Sequence, residues 1–160
     1  MDAYVVQRKI ISDNQLRDLE LATAFMSFIR EREEADKNWS CHEVCRAFLR
    51  QRTSAAWEVS DGYFGRVGYQ HAWLWGFSDD DPVRPSVTIL DIYPVAGTRP
   101  QLVAASNSPW NDLYIDRARA YSPDQMVRFS VGADKICTQT RDDFLWLKIQ
   151  EQCRTMRFAP

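Results

Sequence analysis

The chain predicts an α+β fold in which N-terminal helices pack on an antiparallel sheet, and three observations carry that prediction. Two helix starts stand in the first third, Ser12 with Gln15 and Ser40 with Glu43, each at capping-box spacing and each followed by a one-sided apolar stripe. Beyond Thr53-Ser54 the apolar period shortens from helical to alternating. Two alternating runs, 69–75 and 86–93, are then separated only by the polar breaker Ser78-Asp79-Asp80-Asp81-Pro82, which suits neighbouring antiparallel strands joined by an acidic loop.

Taken in order, residues 12–34 form the first predicted helix, with Leu16, Leu19, Leu21, Phe25, Phe28 and Ile29 on its buried side. Its charged end, Arg30-Glu31-Arg32-Glu33-Glu34, reads as a solvated face. The second helix opens at Cys41 and runs to about Arg52, burying Val44, Cys45, Phe48 and Leu49. A strand over 56–59 is expected to end at the turn pair Asp61-Gly62. In the next strand Tyr69, His71, Trp73 and Trp75 share a face, and in the one after it Val87, Ile89, Asp91 and Tyr93 do. A short strand over 101–105, an irregular stretch over 106–123 with a helical turn or two, and an edge strand over 126–131 follow. Thr140 is expected to open a last helix with the stripe Trp146, Ile149, Cys153 and Met156. No repeat or linker divides the chain, so residues 1–160 read as one domain.

Composition narrows the function classes. Hydrophobic residues at 45% and charged residues at 26% are ordinary for a globular protein, and a net charge of −2 gives no electrostatic case for nucleic acid or an anionic membrane as partner. Residues 1–11 carry only broken apolar pairs and are expected to be neither signal peptide nor anchor. Cysteines at 41, 45, 137 and 153 are too sparse for a disulfide framework, and free thiols in a reducing cytoplasm are the expectation.

The chemistry is sought around Cys41. At the first position of a helix, unpaired N–H groups and the macrodipole favour negative charge, and the thiolate is the nucleophilic form of cysteine. A nucleophilic thiol needs a base, and commonly a third group that orients the base. The chain has only two histidines. His42 follows Cys41 directly, which in a helix turns it about a quarter-turn away, so His71 is the expected base. Asp91, a carboxylate on an otherwise apolar strand face, is costly to bury unpaired and is the expected partner of His71. Each residue also has a plainer use. A helical cysteine is usually a small buried hydrophobe, the assignment given to Cys45, Cys137 and Cys153; a lone histidine is usually a satisfied half-buried side chain; Asp91 can close a local turn before Pro94. Zinc competes for the same atoms through Cys41, Cys45 and His71 with His42 or Asp91, but no second cysteine pair exists, so neither a metal nor any other cofactor is expected. No glycine-rich phosphate loop is present.

These residues stand in a recognisable order. Cys41 to Leu49 at a helix start, then Val59-Ser60-Asp61-Gly62-Tyr63, His71-Ala72-Trp73-Leu74 and Leu90-Asp91-Ile92-Tyr93 resemble the stations of the transglutaminase-like cysteine enzymes. The resemblance covers about 38–95, and His-Ala-Trp is its most specific element. It implies a papain-like core with Cys41 as nucleophile, His71 as general base and acid, and Asp91 as orienter. The implied reaction is acyl transfer through a thioester at Cys41, resolved by water or an amine. The Cys41 N–H is the first oxyanion donor, with Asn38 or Trp39 as candidates for a second, and Trp73 and Tyr93 as candidates for substrate contact. The inserted Asp61 departs from the pattern, and no calcium-site pattern is visible.

The reading is therefore a small cysteine peptidase, amidase or deamidase acting on a peptide or protein. The alternative is a non-catalytic interaction module of the same fold, with Trp73, Trp75, Tyr93 and Trp110 serving a partner.

Overall fold

Helix α1 (Asp13–Arg32) begins where expected, and its cap is reciprocal: the Gln15 N–H donates to Ser12 Oγ at 3.2 Å, while the Ser12 N–H donates to Gln15 Oε1 at 3.1 Å. The computed structural model describes residues 11–33, 38–77, 87–95, 99–104, 113–116, 121–141 and 151. The segment 1–10, the acidic loop over 78–82, Trp110 and the C-terminal stripe from Trp146 to Met156 lie outside the described residues. Buried Phe25, Met26, Phe28 and Ile29 make α1 the largest apolar contributor to the helical side of the core, each such side chain gaining roughly 1.5–3 kcal/mol on burial.

Helix α2 (Cys41–Leu49) is capped by Ser40, whose Oγ accepts the Glu43 N–H at 3.3 Å and donates to Glu43 Oε1 at 2.9 Å. It ends three residues earlier than its period predicts. Val44, Cys45, Ala47 and Phe48 are wholly enclosed, and Phe48 meets Phe25 of α1 edge to face at 5.6 Å between centroids.

Five strands follow: β1 (Glu58–Phe64), β2 (Tyr69–Phe77), β3 (Val87–Asp91), β4 (Gln101–Ala104) and β5 (Tyr114–Asp116). They form one antiparallel sheet in the order β4-β3-β2-β1-β5, so the described chain is α+β as expected. Even positions of β2 and β3, Ala72, Leu74 and Leu90, join the helices in the main cluster; odd positions Trp73 and Ile89 join Val103 and Tyr114 in a second one.

Three expectations change. Asp61-Gly62 is not a turn: β1 runs straight through it, and the hairpin reverses at Gly65 and Gly68, whose φ of 78° and 76° only glycine adopts cheaply. Gly62 is required for a different reason, since a Cβ there would strike the Ile115 carbonyl and the Trp73 ring. The irregular stretch contains β5, which pairs Tyr63 with Ile115 and places Tyr114 over the second cluster. The edge strand over 126–131 and the helix start at Thr140 are both replaced by a single helix α3 (Pro123–Arg141). Its start has the very signals used elsewhere: Ser122 Oγ accepts the Gln125 N–H at 3.2 Å, Gln125 Oε1 accepts the Ser122 N–H at 2.9 Å, and Pro123 occupies the first turn. Ala133, Ile136 and Cys137 carry α3 into the main cluster, and Asp134 pairs with Arg50 at the end of α2. Among the described residues no helix is long and apolar enough to cross a membrane.

One carboxylate ties the first helix to the sheet. Asp18, 1% exposed, accepts the Ser54 N–H at 2.6 Å, the Ala55 N–H at 2.8 Å and the Trp57 indole N–H at 2.7 Å. Asp18→Ala leaves these donors without an acceptor. It is expected to cost about 2–4 kcal/mol, read as a lower urea midpoint at unchanged m-value.

Candidate active site

Cys41 is the first residue of α2 and is half-buried, so its own N–H has no intrahelical acceptor and its sulfur sits at the positive end of the helix. The pairing of β2 with β3 sets Leu74 opposite Leu90, which makes Asp91 a diagonal neighbour of His71 on the same face. The two are fully enclosed, at 1% and 0% exposure, and His71 Nε2 lies 2.9 Å from Asp91 Oδ1 and 3.0 Å from Oδ2. A carboxylate accepts only, so Nε2 carries the proton and Nδ1 is the nitrogen left for another partner. The Cys41 thiol is electrostatically coupled to the same ring.

The electrostatics favour a charged pair. Burial pushes the Cys41 thiol up, but its interactions with His42 and then with His71 outweigh that and bring it down to about 6. Burial pushes His71 down, and Asp91 followed by Cys41 more than reverses this, to about 9. Between those values Cys41 is a thiolate and His71 an imidazolium.

The structure brings together Cys41, His71 and Asp91, and adds residues that the sequence reading left out. Tyr114 of β5 donates its hydroxyl to Asp91 Oδ2 at 2.8 Å. Its own pKa is raised, by burial and then by the Asp91 charge. Rings of Phe64, Trp73 and Tyr114 stand 5.8, 6.0 and 6.5 Å from the His71 ring and wall it in. Trp73 is thus a buried wall of the imidazole, 3% exposed. Tyr93 is half-buried, with its hydroxyl 3.4 Å from Glu33 Oε1 and Arg30 over its ring at 5.5 Å. Asn38 is exposed and Trp39 packs against the main cluster, both immediately ahead of Cys41.

His42 bears on the thiol through charge. It is electrostatically coupled to the Cys41 thiol, as His71 is, while both of its ring nitrogens have other partners. Its Nδ1 lies 2.7 Å from Asp61 Oδ1, and Arg46 reaches the same carboxylate at 2.9 Å through Nη1 and 2.5 Å through Nη2. Tyr121 donates to the Gly62 carbonyl at 3.1 Å, and its oxygen lies 3.3 Å from His42 Nε2. Phe129 of α3 stacks on the ring at 4.3 Å and 8°. Asp61, the insertion in the resemblance, is a buried carboxylate shared by His42 and Arg46. Burial alone would raise it, but Arg46 and then His42 bring it down to about 2. Its contribution to stability is therefore present above the ordinary carboxylate range and is lost as pH falls toward about 2.

Among the described residues no three His, Cys, Asp or Glu side chains form a group that could hold a metal ion. Cys45, one of the ligands of the zinc set weighed from the sequence, is enclosed in the core with its thiol pushed well up by burial.

Replacing Asp91 by Asn keeps the shape and removes the charge that holds the His71 imidazolium. The weaker cation stabilises the thiolate less, so the pH midpoint of Cys41 alkylation by iodoacetamide should rise from about 6 by about 1 unit or more. No family model, curated protein or solved structure matches the chain.

Proposed function

We propose that this chain is a cysteine-dependent acyl-transfer enzyme of transglutaminase-like type, with a papain-like arrangement of helix and sheet, acting on a peptide or protein. The observation that carries the reading is the His71 Nε2 contact to both Asp91 oxygens, which leaves Nδ1 for a thiol at a helix start. The Cys41 thiolate attacks the carbonyl carbon of an amide or ester. The developing oxyanion is met by the Cys41 N–H, with Asn38 or Trp39 supplying a second donor. The His71 imidazolium gives its Nδ1 proton to the leaving amine, and a thioester remains on Cys41. Neutral His71 then takes a proton from water, or from an acceptor amine, as that group attacks the thioester. The sulfur departs as thiolate, and His71 is again the imidazolium. Asp91 holds the ring in the one tautomer that serves both halves, and Tyr114 fixes the carboxylate. The free Cys41 and Cys45 thiols support a reducing compartment such as the cytoplasm.

An activated ester such as p-nitrophenyl acetate tests the reading without knowledge of the natural substrate. The wild-type chain should release a burst of p-nitrophenol with one acetyl group on Cys41, and Cys41→Ala should give neither. Because p-nitrophenolate leaves without a proton, His71→Ala should still acetylate but should hydrolyse the thioester about 10²–10⁴-fold more slowly. An adduct that forms equally in Cys41→Ala, or a thioester that turns over equally fast without His71, would overturn the assignment in favour of an interaction module.

A further inference from the structure

Two imidazole–carboxylate pairs converge on one sulfur, and a cysteine acyl-transfer reaction needs only one of them. The second pair is built as carefully as the first. His42 is 5% exposed and Asp61 is 8% exposed, they meet at 2.7 Å, Arg46 grips the carboxylate with both guanidinium ends, and the ring is clamped between Phe129 and Tyr121. The titratable and charged groups around His42 are Cys41 and Arg46 on α2, Asp61 on β1, His71 on β2 and Tyr121 ahead of α3.

The hydrogen bonds fix its protonation. Nδ1 faces a carboxylate and must donate. The Tyr121 hydroxyl spends its proton on the Gly62 carbonyl, so its oxygen presents a lone pair to Nε2. Both ring nitrogens therefore face acceptors, so His42 acts on the Cys41 sulfur, its neighbour in the chain, through its charge and not through an N–H. The geometry points to His42 as a standing imidazolium, a second cationic partner that holds the Cys41 thiolate while His71 alone carries the moving proton. The charges then alternate along the series Arg46, Asp61, His42, Cys41, His71, Asp91.

The two histidines then divide the work. When His71 surrenders its proton to a leaving group, His42 keeps its own, held by Asp61. When the thioester breaks, the His42 cation stands beside the sulfur as it regains its charge, which makes Cys41 a better leaving group in the second half-reaction. His42 is a positioning residue for charge and takes no proton in either step.

This inference rests on Cys41 as the nucleophile, and its test separates the two histidines. The rate of Cys41 alkylation by iodoacetamide is followed against pH by mass spectrometry of the Cys41 peptide. Wild type should show a midpoint near 6. His71→Gln and His42→Gln should each show an intermediate midpoint, and the double variant should approach the ordinary thiol value of about 8.5. Asp61→Asn should move the midpoint up in the same direction as His42→Gln. A His42→Gln profile identical to wild type, or a His71→Gln profile already at the ordinary value, overturns the inference while leaving the role of His71 intact. A His71→Gln profile identical to wild type instead counts against the base assignment. His42 is buried, so a measurement on the unaltered ring stands beside the variants: its titration followed by NMR in wild type and in Cys41→Ala. Loss of the thiolate should lower the His42 pKa, and an unchanged His42 titration overturns the inference even if every His42 variant fails to fold.

Discussion

A carboxylate with no exposed surface must find a donor for each oxygen, and much of this structure is arranged to supply them to Asp91. His71 reaches both oxygens and Tyr114 reaches one. Those donors come from β2 and β5, so the pairing of β3 with β2 and of β5 with β1 has to be right before Asp91 can be buried without a heavy penalty. The register of the sheet and the electrostatics of the site are therefore one constraint. A slip of one residue in β2 would send His71 to the helix side and leave the carboxylate enclosed with only a phenol.

The second carboxylate, Asp61, obeys the same rule on the other side of the sheet and is met by His42 and Arg46 from α2. Residue Gly62, opposite His71, has no room for a side chain because β5 and Trp73 close over it. The sequence pair Asp61-Gly62 thus has two unrelated duties, a buried charge on one face and a close approach on the other. Tyr121 adds a tie from the start of α3 to both, through the Gly62 carbonyl and the His42 ring.

The first two helices and the pairing of β2 with β3 are legible because their signals are local. Ser12 with Gln15 cap as they read, and the alternation over 69–75 gave the face shared by His71 and Trp73. Asp91 was legible by an argument from cost, as a charge on an apolar face. The same argument applies to Asp61, but with the glycine that follows it the dipeptide is also a turn signal, and that local signal masks the strand running through it. Helix α3 was hidden in a similar way: its apolar side chains reach the main cluster only through Ala133, Ile136 and Cys137, so the window over 126–131 lacks a strong stripe, although Ser122 with Gln125 marks the cap. Tyr114 had no local signal at all. Its position depends on β5 crossing to the far side of β1, a long-range pairing that no short window of sequence contains.

The helix that presents Cys41 also carries Cys45 one turn behind it, fully enclosed and with its thiol pushed well up. Toward an oxidant the two are opposites. Only the thiolate is oxidised readily, so peroxide would convert Cys41 to a sulfenic acid while the neighbour that stands nearest along the helix stays protonated and out of reach. The usual escape from over-oxidation, condensation with a nearby thiolate to a disulfide, is closed along this helix. The same charge arrangement that favours the Cys41 thiolate leaves it without a resolving partner on α2.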